Sequence, residues 1–116
     1  MAVQVSQEVF DGMVNDALDK IPDNFARHLR NVVILVSDFN PDSPTILGLY
    51  EGVALPERTF DHTGYLPDTI SIYKGALERY CTDEQDLAHQ IMVTVFHEVG
   101  HYFGMDEAQL HHLGWG

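Results

Sequence analysis

A chain of 116 residues, 45% apolar and 21% charged, has the size and mix of one compact globular domain, expected here to span 1–116. Six basic residues against eighteen acidic ones leave a net charge of −12, which excludes the clustered Lys and Arg that nucleic acid or an anionic membrane requires. No stretch is long and apolar enough to span a bilayer, no basic-then-apolar leader opens the chain, and the lone Cys81 cannot build a disulfide framework, so a cytoplasmic location is expected.

Ser6 is placed to cap a first helix, with Gln7 and Glu8 in its opening turn. Val9, Phe10, Met13, Val14, Ala17, Leu18 and Ile21 follow at helical spacing as one apolar stripe, which Pro22 ends. Asp23-Asn24 starts a short helix or turn over 25–29. Val32-Val33-Ile34-Leu35-Val36 is β-branched and bounded by polar residues, which predicts a buried strand. Residues 38–44 are turn-rich. Residues 46–50 and 53–55 read as extended pieces broken at Glu51-Gly52, either a hairpin or one bulged strand. Residues 56–67 form an irregular loop containing Arg58, His62 and Gly64.

Thr69-Ile70-Ser71-Ile72-Tyr73 alternates with period two and predicts a half-buried strand. A short helix follows over 74–80, ending near Cys81, whose expected role is that of a small buried hydrophobe. Thr82 and Gln85 have the spacing of a capping box for a helix over 83–103. Ala88, Ile91, Met92, Val95, Phe96, Val99, Tyr102 and Phe103 surround much of that helix with apolar surface, so it should be central and buried.

That helix carries His97, Glu98 and His101. Two His four positions apart lie on one face, a turn apart, and can hold the same ion. Glu98 points about 100° around the helix from His97, beside such an ion rather than onto it, where a carboxylate can accept a proton from water. Two His and a Glu in so apolar a helix are costly unless paired, and a metal ion removes that cost. Gly104, seven past His97, can take the left-handed conformation that ends a helix. The chain then turns back, and Glu107, ten past His97, can supply a third ligand, which is what a catalytic Zn2+ needs. Asp106 competes for that place, or caps a last segment over 107–113. His89 lies about 12 Å up the helix axis from His97 and cannot share the ion. It reads as a surface residue, as do His28 and His62. His111 and His112 either face solvent or turn an imidazole toward the cleft.

Beyond the motif, Gly48-Leu49-Tyr50-Glu51-Gly52-Val53-Ala54-Leu55-Pro56-Glu57-Arg58, Ile70-Ser71-Ile72-Tyr73 and Val93-Thr94-Val95-Phe96-His97-Glu98-Val99-Gly100-His101-Tyr102-Phe103-Gly104 resemble the minimal zincin-like metallopeptidases of bacteria, the minizincins. The resemblance implies a small α+β domain with a mixed β-sheet packed on a central site-bearing helix. It implies zinc held by His97, His101 and an acidic third ligand, with Glu98 as the base in hydrolysis of peptide bonds by a metal-activated water. The third ligand in that group is often Asp, and Glu107 makes this set look more like that of the gluzincins. A peptide or protein substrate is expected, paired with an exposed strand edge from 46–55 or 69–73. Larger zincins build a second cleft wall from a C-terminal subdomain, whereas nine residues follow Glu107 here. Weak activity is therefore expected unless a partner completes the cleft. The rival expectations are a zinc-binding interaction or regulatory module with little or no turnover, and a hydrolase of another bond type.

Overall fold

The computed structural model describes residues 2–52 and 67–115, so the extended piece expected at 53–55 and the loop residues Arg58, His62 and Gly64 lie outside the described residues. The fold is α+β. Helix α1 (Gln7–Asp19) starts where Ser6 accepts the Val9 N–H at 3.1 Å, and buries Phe10, Val14 and Ala17. Val9 does not join that stripe and stays exposed, because one residue is a 100° rotation away from Phe10. The helix closes at Lys20, ahead of Pro22, which instead opens the single turn α2 (Asp23–Ala26).

Three strands form one sheet: β1 (Val32–Ser37), β2 (Gly48–Glu51) and β3 (Asp68–Tyr73), in the order β1-β3-β2. β3 runs parallel to β1 and antiparallel to β2, so the sheet is mixed. This order corrects two expectations. β1 is an edge strand with one covered face, and Val33 and Leu35 remain 38% and 47% exposed. β3 is the central strand and is buried almost throughout, Asp68 and Ser71 included. A segment flanked on both sides has no free edge, so 69–73 cannot receive an added strand; among the described residues, β1 and β2 are the outer strands of the sheet.

β3 passes directly into α3 (Lys74–Tyr80), and Cys81 is buried at the seam before α4 (Glu84–Tyr102). Burial first, then the charge and hydrogen bond of Asp86 and the charge of Asp83, push the Cys81 thiol up to about 11. The cap of α4 is Asp83, which accepts the Asp86 N–H at 2.7 Å. The expected Thr82–Gln85 box is thus one residue out: Thr82 gives its own N–H to Asp86 Oδ2 at 3.1 Å, and Asp is the stronger N-cap. One face of α4 buries Leu87, Ile91, Val95 and Val99 in the cluster that also holds Phe10, Ile70 and Ile72. α4 packs on α1, β2 and β3, which makes it the central helix. Ala88, expected in its apolar surface, is exposed. No helix among the described residues is long and apolar enough to cross a membrane.

Candidate metal centre

His97, Glu98 and His101 sit in the last turns of α4, and the helix ends where the Gly spacing places its end. Gly104 has φ +78°, and its N–H and that of Met105 return to the carbonyls of His101 and Gly100 at 3.0 Å each. These two bonds satisfy carbonyls that a bare helix end leaves open. Two residues later Asp106 caps α5 (Glu107–Leu113) through a reciprocal box: its carboxylate accepts the Gln109 N–H, and the Gln109 side chain accepts the Asp106 N–H, each at 2.8 Å. Asp106 is thereby committed to the cap, and Glu107 is the first residue of the helix it starts.

The turn is tight because of Gly100. A Cβ added there would lie 2.0 Å from Leu110 Cδ2, so only glycine lets the buried Leu110 of α5 close on α4. That contact returns α5 to α4, where Glu107 meets His97 and His101. His97 Nε2 and His101 Nε2 lie 3.1 Å apart, and Glu107 Oε1 is 3.4 Å from the first and 3.3 Å from the second. Tetrahedral zinc with bonds of about 2.0–2.2 Å separates neighbouring ligand atoms by about 3.3–3.6 Å. The two Glu107 sides of the triangle have the length of an edge of such a tetrahedron and the His97–His101 side is slightly shorter, so the three atoms can form one face of it. Two neutral imidazoles and a carboxylate are also the donor chemistry that zinc selects. Among the described residues no other group of His, Cys, Asp and Glu converges in this way.

Glu98, the residue after His97 on α4, is 7% exposed and is not a member of this triangle. Burial raises its carboxyl above the usual glutamate range. His97 and His101, then a hydrogen bond from the Tyr50 backbone N–H, pull it back, and the charge of Glu107 adds to the rise. Loss of water around a carboxyl disfavours its charged form and makes it a stronger proton acceptor than a solvated glutamate. Beside Glu98, a small cleft of about 240 Å³ opens along Leu47, Gly48, Val93 and Thr94.

The other expected positions fall outside the centre. Asp106 is not a member of the triangle, and His28 and His89 are on the surface. His111 and His112 are exposed on α5 and are also absent from the triangle. Three contributors carried no motif signal: the Tyr50 amide, because every residue has one, and the close contacts at Gly48 and Gly100, because neither pairs with a partner near it in sequence.

No curated protein matches the chain significantly. Among solved structures, it is similar to a conserved hypothetical protein from Thermus thermophilus, with 22% sequence identity, a TM-score of 0.62, and coverage of 85% of this chain and 94% of that one. At that identity the likeness is one of fold. Residues 29–115 match the zincin-like metallopeptidase family, and the chain belongs to that family.

Proposed function

We propose that this protein is a zinc-dependent metallopeptidase that hydrolyses peptide bonds, with His97, His101 and Glu107 holding the ion and Glu98 as general base. The observation that carries the proposal is the triangle of 3.1, 3.3 and 3.4 Å set against a buried carboxyl that is not one of its corners. A zinc ion used only to hold a fold needs no such base. Bound there, zinc would polarise a carbonyl and bring water toward acidity near neutral pH. Glu98 takes the proton from the attacking water and passes it to the leaving amine nitrogen. The outer edge of β2 is the surface for an extended peptide, since it borders the cleft at Leu47 and Gly48 and strands add to open sheet edges.

The Glu107 side chain is 73% exposed, so the centre lies open on the α5 side. Short flexible peptides are the substrates that fit an open site, and a partner or longer substrate that covers this side raises turnover. The deciding experiment measures zinc per chain and cleavage of a mixed peptide library, for the natural sequence and for Glu98→Gln. About one zinc in both proteins is expected, with cleavage reduced about 10²–10⁴-fold in the variant. Zinc without cleavage in the natural sequence would favour a metal-binding module instead. Equal cleavage by both proteins would remove Glu98 from the chemistry.

A further inference from the structure

A second hollow, of about 630 Å³, lies between α4 and the C-terminal end of α5. It adjoins the cleft beside Glu98, because Gln90 and Val93 line both. Phe96, the residue before His97, lines it as well, and Val93 stands one turn before His97. Its wall is thus the same stretch of helix that carries the first corner of the triangle.

The way α5 ends supplies the opposite wall. Gly114 has φ +78°, its N–H returns to His111 C=O at 3.1 Å, and the Trp115 N–H returns to Leu110 C=O at 2.8 Å. These are the two bonds of a Schellman turn, and they fold Trp115 back onto α4. There its ring meets Phe96 with centroids 5.2 Å apart at 56°, and Phe25 at 5.1 Å and 65°. Trp115 is buried, whereas Tyr80 and Leu113, which line the same hollow, are large side chains that the fold leaves exposed. The lining contains no Asp, Glu, Lys or Arg, in a chain where they make up 21% of residues. A charged group entering would lose water without meeting an opposite charge. A large uncharged one would exchange water for ring faces.

We infer that this hollow takes a bulky uncharged side chain of the peptide substrate, aromatic or long aliphatic, with Phe96, Leu113 and Trp115 setting that preference. The inference rests on the proposed function, which runs a peptide along the cleft that shares Gln90 and Val93 with the hollow. The volume lies within the range of about 300–1,000 Å³ typical of small-molecule sites, enough for one large side chain and the backbone that carries it. An aromatic side chain buries about 150–250 Å², which gives the substrate a hold that the exposed Glu107 side of the centre does not supply.

Trp115 is the one tryptophan of the chain, so its fluorescence reports on the hollow without any turnover. The metal-free full chain is titrated with N-acetyl amino-acid amides. The phenylalanine and leucine amides should change the emission saturably and bind about tenfold or more tighter than the alanine amide. The aspartate amide should leave the emission unchanged. Leu113→Lys puts a charge at the exposed rim and should weaken the phenylalanine amide about fivefold or more. Leu35→Lys, an equally exposed position on β1 outside the hollow, should not. In the zinc-loaded protein, cleavage of a peptide library should favour a bulky uncharged residue at one fixed position from the cut bond. For those peptides Leu113→Lys should raise KM about fivefold or more with kcat within about twofold. Equal responses to the phenylalanine and alanine amides, or a phenylalanine response that Leu113→Lys leaves intact, would overturn the inference whether or not the protein cleaves peptides. Selective binding that Leu113→Lys weakens, without any cleavage by the natural sequence, would keep the hollow as a side-chain site and overturn the proposed function instead.

Discussion

His97, Glu98 and His101 stand on a 19-residue helix whose other face is locked into the core by Leu87, Ile91, Val95 and Val99. Glu107 stands on a helix of seven residues that reaches the core through Leu110, and its own side chain is largely in water. The His pair cannot separate without unwinding α4, because helix geometry alone sets residues four apart on one face. The carboxylate corner depends on a glycine turn, a cap and one buried leucine. Burial on one side and a few local contacts on the other mean that metal affinity and global stability can be perturbed independently.

The largest effect should come from the rigid side. Under the proposed assignment, His97→Ala or His101→Ala removes one of three corners, and among the described residues no other His, Cys, Asp or Glu converges there. Zinc per chain should fall from about one to a level indistinguishable from a chelator-treated control, a loss expected for a site limited to three protein ligands. His89→Ala, outside the triangle on the same helix, should bind zinc as the natural sequence does. Metal analysis after desalting checks both, and retention of zinc by His101→Ala would place the site elsewhere.

Next comes the joint between the two sides. Gly100→Ala puts a methyl group into the space of Leu110 Cδ2. Leu110 is fully buried, so its side chain cannot simply swing out. Overpacking of this kind costs about 1–3 kcal/mol of stability. If α5 yields instead, Glu107 moves away from the His pair and zinc affinity falls by about 10–100-fold, the range seen when support behind a ligand is disturbed. Competition with a chromophoric chelator measures the affinity and thermal unfolding of the metal-free protein measures the stability. An unchanged affinity would mean that α5 holds its place without this contact.

Within the exposed side, two adjacent carboxylates should separate cleanly. Glu107→Ala removes a corner and should weaken zinc while leaving metal-free stability nearly unchanged, since an exposed side chain buries little. Asp106→Ala removes the cap of α5 and should cost about 1 kcal/mol of stability, with a smaller loss of affinity. A greater affinity loss in Asp106→Ala than in Glu107→Ala would exchange their roles.

The same contrast explains what could be read from the residues. α4, and the meeting of His97 and His101 on one face of it, were legible because periodicity and local spacing both act within one helix. Gly104 and Glu107 were legible because a helix stop and a ten-residue offset are also local. The burial of β1 and β3 was misjudged because strand order decides it, and nothing inside Val32-Val33-Ile34-Leu35-Val36 says that β3 will lie on one side only. The cap of α4 moved from Thr82 to Asp83 because two adjacent residues could each serve and Asp does so better. Tyr50 escaped notice because its contribution is a backbone amide brought to Glu98 by packing 48 positions along the chain. Gly100 stood inside the motif, yet its reason is Leu110 on another helix.

The smallest predicted effect tests the start of the rigid side. Cys81 is buried where α3 meets α4, and burial together with Asp86 and Asp83 lifts its thiol to about 11. In the unfolded chain a thiol ionises near pH 8.5. The folded value is therefore the higher one, so this group's contribution to stability is complete below about pH 8.5 and is lost as the pH rises toward 11. Replacing Cys81 by Ala removes that titration, at the cost of a small cavity. The difference in melting temperature between the two metal-free proteins should hold constant from pH 6 to 8 and shrink above about pH 8.5, as the natural sequence loses its share. In parallel, an alkylating reagent at pH 8 should modify Cys81 far more slowly than it modifies the unfolded chain, because attack requires an exposed thiolate. Modification at the unfolded rate would show that the first turns of α4 open readily, and the rigidity ascribed to the His side would then have to begin further along the helix, at Leu87 or beyond.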